Sequence, residues 1–391
     1  MKPFKIVCVI GTRPEALKMA PLIKVLSANP AFDVKTLLSA QHRELLDQML
    51  VHFSIQIDAD FNIMTHNQHL TELNAKLLLK FDNYYQATKP DLVIAQGDTT
   101  TTMVAAMSAY YHKIPFAHIE AGLRTSDIYT PFPEEMNRRV ASQLSALHFA
   151  PTQFAKQNLA REGIHNRVFV VGNTIIDTLY HFSKQFQEPL APGKKLILTT
   201  CHRRENFGQP LHDICEAMKT LATQRDDIQF VFPVHPNPNV QEVVYTALGG
   251  IANIQLTTPM DYIELVKHLK ASYLVLTDSG GLQEEAPALG KPVLVLREET
   301  ERPEGVLCGA AKLIGTGNQE IIDEITLLLD NPEAYQRMVV KVSPYGDGKA
   351  SERISWHIEN YLSKRESHNL LKENEFNFDL PIIESGLPHL E

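Results

Sequence analysis

Two sets of six short apolar runs, alternating with helical patterns, constrain this chain more than any other feature of its sequence. The first set is Ile6 to Ile10, Lys35 to Leu38, Leu92 to Ala95, Phe116 to Ile119, Leu147 to Ala150 and Val168 to Val171. The second follows a turn-rich break at Pro189-Leu190-Ala191-Pro192-Gly193. It comprises Leu196 to Thr199, Phe230 to Val234, Ile254 to Leu256, Leu274 to Thr277, Val293 to Leu296 and Lys312 to Ile314. Short apolar runs alternating with helices build parallel sheets covered on both faces. The expected fold class is therefore α/β, with two doubly wound, Rossmann-like domains, 1–172 and 173–350. Ligands of such sheets bind beyond the carboxyl ends of the strands, so a catalytic site is expected in a cleft between the two.

Composition narrows the functional classes. The 391 residues carry a formal charge of -9, which argues against a nucleic-acid surface. The amino-terminal apolar run is too short for a signal peptide, and nowhere do about 18 apolar residues run together, so no membrane association and a cytoplasmic location are expected. Cys8, Cys201, Cys215 and Cys308 show no C-x-x-C spacing, which indicates neither a disulfide framework nor a metal site.

The polar residues gather at the strand ends. Gly11-Thr12-Arg13-Pro14-Glu15-Ala16-Leu17-Lys18 follows the first strand, and the free N–H groups of its turn, with Arg13 and Lys18, would face an anionic ligand. Asp98 in Gln96-Gly97-Asp98-Thr99 is either a helix N-cap or a carboxylate for chemistry. Glu120 in Glu120-Ala121-Gly122-Leu123-Arg124 is either half of a surface ion pair or a second such carboxylate. Glu134, opening a helix after Pro131-Phe132-Pro133, either complements the helix dipole or is a third. In the second domain the strand ends carry cations: His202-Arg203-Arg204, then His235, then Arg302. An imidazole beside two guanidiniums favours anion handling. Asp278-Ser279-Gly280-Gly281 can present N–H groups to a phosphate at a helix start, and Glu285, one turn on, can accept from sugar hydroxyls. A diphosphate joined to a hydroxyl-rich part, a nucleotide sugar, fits this set. No G-x-G-x-x-G follows an expected strand and no P-loop is present, which leaves acid/base chemistry without a redox cofactor.

These motifs, with Gln41-His42-Arg43 and Thr300-Glu301-Arg302-Pro303-Glu304, resemble in order and type those of the bacterial non-hydrolysing UDP-N-acetylglucosamine 2-epimerases. The last residues, 364–391, carry six acidic and three basic residues with little periodicity and read as an acidic extension. The resemblance implies a fold similar to that of glycosyltransferases of the GT-B type, a helix at 351–363 returning to the first domain, and a homodimer. It implies interconversion of UDP-GlcNAc and UDP-ManNAc through elimination of UDP to 2-acetamidoglucal, supplying ManNAc units for cell-surface polysaccharide. By resemblance Asp98, Glu120 and Glu134 are the acid/base set and His202 assists at the leaving diphosphate. Arg13, Lys18, Asp98, Glu120, His202, Ser279, Gly280, Gly281, Glu285 and Arg302 then contact substrate, with Glu285 on the ribose. Met260 and Leu265 stand where the family has a glutamine and an aromatic residue near the uracil. Gln41, His42 and Arg43 belong to a motif near a pocket where relatives bind a second UDP-GlcNAc as activator. A hydrolysing epimerase, a glycosyltransferase and a non-catalytic sugar-nucleotide sensor are the alternatives.

Overall fold

The computed structural model describes residues 2–39, 51–63, 68–186, 190–364 and 374–378. It divides into two compact units, one of Met1–Thr178 with Gly346–Asn377 and one containing Leu179–Tyr345. The chain thus passes from one unit to the other at 178/179 and 345/346, where the sequence suggests 172/173 and 350/351.

Unit 1 is built on seven parallel strands: β1 (Phe4–Ile10), β2 (Phe32–Leu38), β3 (Ala59–Asp60), β4 (Leu92–Gln96), β5 (Phe116–Ile119), β6 (Leu147–Ala150) and β7 (Val168–Val170). Their order is β3-β2-β1-β4-β5-β6-β7. Central β1 is paired on both edges, with Ile6 opposite Val34 of β2 and Leu92 of β4. Its Ile6, Val7, Cys8 and Ile10 are fully buried, as a strand covered on both faces must be. The expected count of six misses β3. That strand pairs only Ala59 with Leu37 and Asp60 with Leu38, and two residues show no periodicity to read.

The helix Ala350–Leu362 also belongs to unit 1. Ile354 and Ile358 are fully buried in the core that contains Ile23 and Leu26 of the helix Arg13–Ala28, and Asn29 Nδ2 donates to Glu359 at 2.9 Å. Its first turn is capped from a distance by Asp177, which accepts from the N–H groups of Ala350 at 3.1 Å and Ser351 at 2.7 Å. Burial pushes the Asp177 carboxyl up to about 6 in spite of those bonds. From the acidic extension, residues 374–377 dock on the same unit: the Phe376 N–H donates to Val170 O of edge strand β7 at 2.7 Å. The Phe376 ring, 4% exposed, lies under the Arg353 guanidinium, and Glu375 pairs with Lys156 at 2.8 Å. Phe376→Ala is expected to lower the stability of unit 1 by about 3 kcal/mol, within the range for burying a phenyl ring. Thermal unfolding reads this directly, and an unchanged Tm would mean that the docked ring contributes nothing.

Unit 2 carries β8 (Lys195–Thr200), β9 (Ile228–Pro233), β10 (Ile254–Thr257), β11 (Leu274–Thr277), β12 (Val293–Val295) and β13 (Ala311–Leu313). They are parallel in the order β10-β9-β8-β11-β12-β13. In both sheets the order reverses at one point, between β1 and β4 in unit 1 and between β8 and β11 in unit 2. Such switch points open a crevice at the carboxyl ends of the strands. Among the described residues no helix is long and apolar enough to cross a membrane.

Candidate active site

The unit 1 switch point is flanked by the turns after β1 and β4. After β1 the chain turns at Gly11 and enters the helix Arg13–Ala28, with Thr12 as N-cap and Pro14 in the first turn. The backbone N–H groups of this turn, expected to face a ligand, are already taken. Glu15, 3% exposed, folds back so that Oε2 accepts from Gly11 N at 2.6 Å and Thr12 N at 2.5 Å. A carboxylate three residues beyond the N-cap is the acidic half of a capping box. The anion at these two N–H groups belongs to the chain itself; Arg13 beside them is partly exposed, and the Lys18 ammonium is engaged by Glu120.

After β4 the backbone turns through Gly97 at φ +80 to Asp98. Asp98 does not cap the following helix. Thr99 does, its hydroxyl accepting from Thr102 N at 3.2 Å. Asp98 instead pairs with Arg138 Nη2 at 2.8 Å, while its carbonyl accepts from Asn137 Nδ2 at 2.9 Å. Burial raises the Asp98 pKa, Arg138 and Lys18 oppose the rise, and the negative charges of Glu120 and Glu134 add to it. Asp98 therefore feels the charge of both other expected carboxylates.

Glu120 follows β5 directly and takes a left-handed backbone at φ +62. A non-glycine residue there is strained, and the strain is held by its side-chain contacts. Lys18 Nζ donates to both carboxylate oxygens at 2.7 and 2.6 Å, Asn173 Nδ2 donates to Oε1 at 3.1 Å, and Gln96 Nε2 donates to Oε2. Arg124, the surface partner that four-residue spacing suggests, goes elsewhere and grips Glu162 at 2.8 and 2.6 Å. Of the two acids that open the helix Glu134–Leu144, Glu135 is the structural one. It is fully buried, pairs with Arg139 at 2.7 Å and accepts from Thr125 N at 3.1 Å, while Glu134 stays partly exposed.

In unit 2 the chain leaves β8 into Cys201-His202-Arg203, and Asp278 stands at the end of neighbouring β11. Asp278 is fully buried. Its Oδ2 accepts from His202 N and Arg203 N, each at 2.8 Å, and from Asn206 Nδ2 at 3.0 Å. Its Oδ1 lies 3.1 Å from His202 Nδ1, close but off the best hydrogen-bond line. Burial alone would raise this carboxyl, yet the His202 side chain and the two backbone donors bring it down to about 2.

His202 stacks on His235 with ring centroids 5.9 Å apart, and both line a pocket of about 200 Å³ with Met260, Leu265, Ser279 and Leu282. Ser279 is the N-cap of the helix Gly280–Ala288. A Cβ on Gly280 would come within 2.5 Å of Arg302 Nη1, so the guanidinium lies over the first turn of that helix. Cations are disfavoured at helix N-termini. Glu284 at 2.5 Å and Glu301 at 2.8 Å hold Arg302 in place beside the backbone donors of that turn. Glu285, buried one turn on, accepts from Tyr262 OH at 2.7 Å.

Acidic groups with an ammonium at one switch point, and a guanidinium, imidazole and helix N-terminus at the other, are suited to proton transfer and to anion binding respectively. The sequence model of UDP-N-acetylglucosamine 2-epimerase matches residues 24–359. The chain belongs to this epimerase family. It is 47% identical over 370 residues to the UDP-N-acetylglucosamine 2-epimerase of Escherichia coli K12, covering 91% of this chain and 98% of that protein. The crystal structure of UDP-GlcNAc 2-epimerase from Neisseria meningitidis bound to UDP-GlcNAc superposes with a TM-score of 0.84 at 44% identity, covering 92% of this chain and all of that one. The Methanocaldococcus jannaschii UDP-GlcNAc 2-epimerase, crystallised with UDP-GlcNAc and UDP, gives a TM-score of 0.76 at 33% identity, covering 92% of this chain and 100% of that one. Two Rossmann-like domains are thus the fold of this chain and of these epimerases.

Within this family member, unit 1 pairs Lys18 with Glu120 and places the charges of Lys18, Glu120 and Glu134 within reach of Asp98. Unit 2 brings His202 and Ser279 to one pocket and Gly280 and Arg302 to one helix start. Gln41, His42 and Arg43 lie outside the described residues. Sequence reasoning assigned no role to Arg138, Asn173, Gln96 or Asp278, although each touches an expected site residue. Asp278 alone had a local signal, a carboxylate at a strand end like Asp98. Among the described residues no three His, Cys, Asp or Glu side chains converge as metal ligands.

Proposed function

We propose that this chain is an enzyme interconverting UDP-N-acetylglucosamine and UDP-N-acetylmannosamine by inversion at C2, without hydrolysing the glycosyl phosphate. A C2 proton with no neighbouring carbonyl becomes removable when the C1–O bond breaks in the same step. The base takes the proton, the C2–H electrons form the C1–C2 double bond, and the C1–O electron pair leaves on UDP, giving 2-acetamidoglucal. In return, a UDP oxygen bonds to C1 while the double bond takes a proton on the opposite face of C2. The route is atom-balanced and needs no hydride acceptor.

Two faces of one carbon call for more than one proton-carrying group, and Asp98, Glu120 and Glu134 are the proposed set. The observation that carries the reading is Asp98. Burial and two neighbouring carboxylates move its pKa above that of a free aspartate, which suits a group that must both hold and release a proton. Arg13 and Lys18 are proposed to contact the nucleotide and its phosphates, while His202, Ser279, Gly280, Gly281 and Arg302 take the diphosphate and Glu285 the ribose. The product is proposed to supply ManNAc units for cell-surface polysaccharide.

Proton NMR of the protein with UDP-GlcNAc in deuterated water tests the proposal. UDP-ManNAc carrying deuterium at C2 is the expected outcome. Release of free ManNAc and UDP would assign the chain to the hydrolysing class, and unchanged substrate would remove the epimerase reading altogether.

A further inference from the structure

Glu15 takes no part in the chemistry just described, yet it is a buried carboxylate beside two of the groups that do. Its Oε2 closes the turn after β1 through Gly11 N and Thr12 N. Its Oε1 faces the other side of the switch point and accepts from Thr99 Oγ at 2.6 Å. Thr102 Oγ is 3.2 Å from the same oxygen and 2.9 Å from Gln96 O. A hydroxyl has one proton to give, and the shorter contact directs that of Thr102 to Gln96 O, which leaves Thr99 as the hydroxyl bound to Glu15. Thr99 then donates its one proton to Glu15 and accepts from Thr102 N. The fit is close: a Cβ on Gly11 would meet Glu15 Oε2 at 2.8 Å and Thr101 Oγ at 2.7 Å.

One side chain therefore joins two helix starts. The first helix carries Lys18, which grips Glu120 through both oxygens. The second begins at Thr99, the residue after Asp98. We infer that Glu15 is a positioning residue of the acid/base group, setting Asp98 and the Lys18–Glu120 pair at a fixed spacing by tying the turn after β1 to Thr99. The inference rests on the epimerase reading. Catalytic groups must be held to within a fraction of an ångström, and supports that lock them act through geometry without touching substrate.

The test is kinetic. Glu15→Ala should lower kcat by about 100-fold, the scale of a misplacement of roughly 1 Å, with KM for UDP-GlcNAc changed by less than about threefold. Glu15→Gln should recover most of the loss, since its amide oxygen can take the two backbone N–H groups and its nitrogen can donate to Thr99 Oγ. Thr99→Val cuts the tie to the second helix together with that helix's own N-cap bond and should reproduce the kcat defect, while Thr99→Ser keeps both and should not. These threonine variants decide the matter if Glu15→Ala does not fold. The acid limb of the pH–kcat profile should also move in Glu15→Ala and Thr99→Val, because Asp98 then sits differently against Arg138 and Glu120; a cap that served stability alone would leave it in place. Folded Glu15→Ala or Thr99→Val with wild-type kcat and pH profile would overturn the inference. A raised KM with intact kcat would also do so, since it would make Glu15 a binding group. Wild-type protein that exchanges no C2 proton refutes the epimerase reading, which separates that failure from this one.

Discussion

Asp98→Asn should lower kcat by about 10³-fold, in the range that general acid/base groups contribute, while leaving the fold intact. The substitution keeps size and shape and lets the amide oxygen still face Arg138, but an amide cannot carry the proton. C2 exchange in deuterated water, followed on UDP-GlcNAc, should fall with kcat. A variant keeping more than about a tenth of wild-type kcat would exclude Asp98 from proton transfer. Stability should move the other way. Asp98 has a folded pKa above its unfolded value, so its contribution to stability is fully present below the unfolded pKa and is lost as pH rises through the folded one. At neutral pH the ionised side chain therefore costs stability, and Asp98→Asn is expected to melt no lower than wild type there, its advantage shrinking as the pH falls. Lost activity with undiminished Tm is the mark of a functional group held against its preference.

Glu120→Gln should behave differently, and the contrast tests the geometry. Three donors converge on the Glu120 carboxylate: Lys18, Gln96 and Asn173. A glutamine turns one oxygen into a donor, so at least one of the three must face an N–H group. Both Tm and kcat should then fall.

Much of this arrangement was legible in the sequence, and what was not has a common cause. The strands announced themselves through runs such as Leu92 to Gln96, buried at every position, and the residues that follow such runs are the ones the sheet exposes at its carboxyl edge. Asp98, Glu120, His202 and Ser279 all stand at such strand ends. Their partners were not legible, because Lys18 and Glu120 are 102 positions apart and His202 and Asp278 are 76 apart, and no local period encodes such pairings. Two local readings needed the fold to resolve them: the N–H pair after β1, expected to face a ligand, is filled by Glu15, and of the two readings left open for Asp98 the N-cap role goes to Thr99. The left-handed backbone of Glu120 had no signal at all, since glycine is the residue that usually announces such a turn.

Asp278→Ala should be the most destabilising single change in unit 2. One buried oxygen serves three donors, the N–H groups of His202 and Arg203 and the amide of Asn206, and removing it leaves them unsatisfied in the interior. A loss of about 3 kcal/mol or more is expected, enough to lower Tm by roughly 10 °C in a domain of this size. The wild-type interaction also has a definite pH signature. Because the folded pKa lies at about 2 against an ordinary 3.8, the carboxylate contributes stability above the unfolded value, on the order of 2 kcal/mol, and loses it as the pH drops from there through the folded value. Asp278→Asn separates support from orientation. Its amide oxygen can still serve the three donors, so the loop after β8 should keep its shape, but its nitrogen, a donor, now faces His202 Nδ1, where the negatively charged Oδ1 stood 3.1 Å away. The imidazole proton is thereby moved to Nε2, the nitrogen left for a diphosphate oxygen, and Nε2 loses the capacity to take up a proton there. A folded Asp278→Asn with kcat down by about 10- to 100-fold and an altered pH–kcat profile is expected. Wild-type kinetics in that variant would mean that Asp278 only holds the loop and that His202 acts without its help.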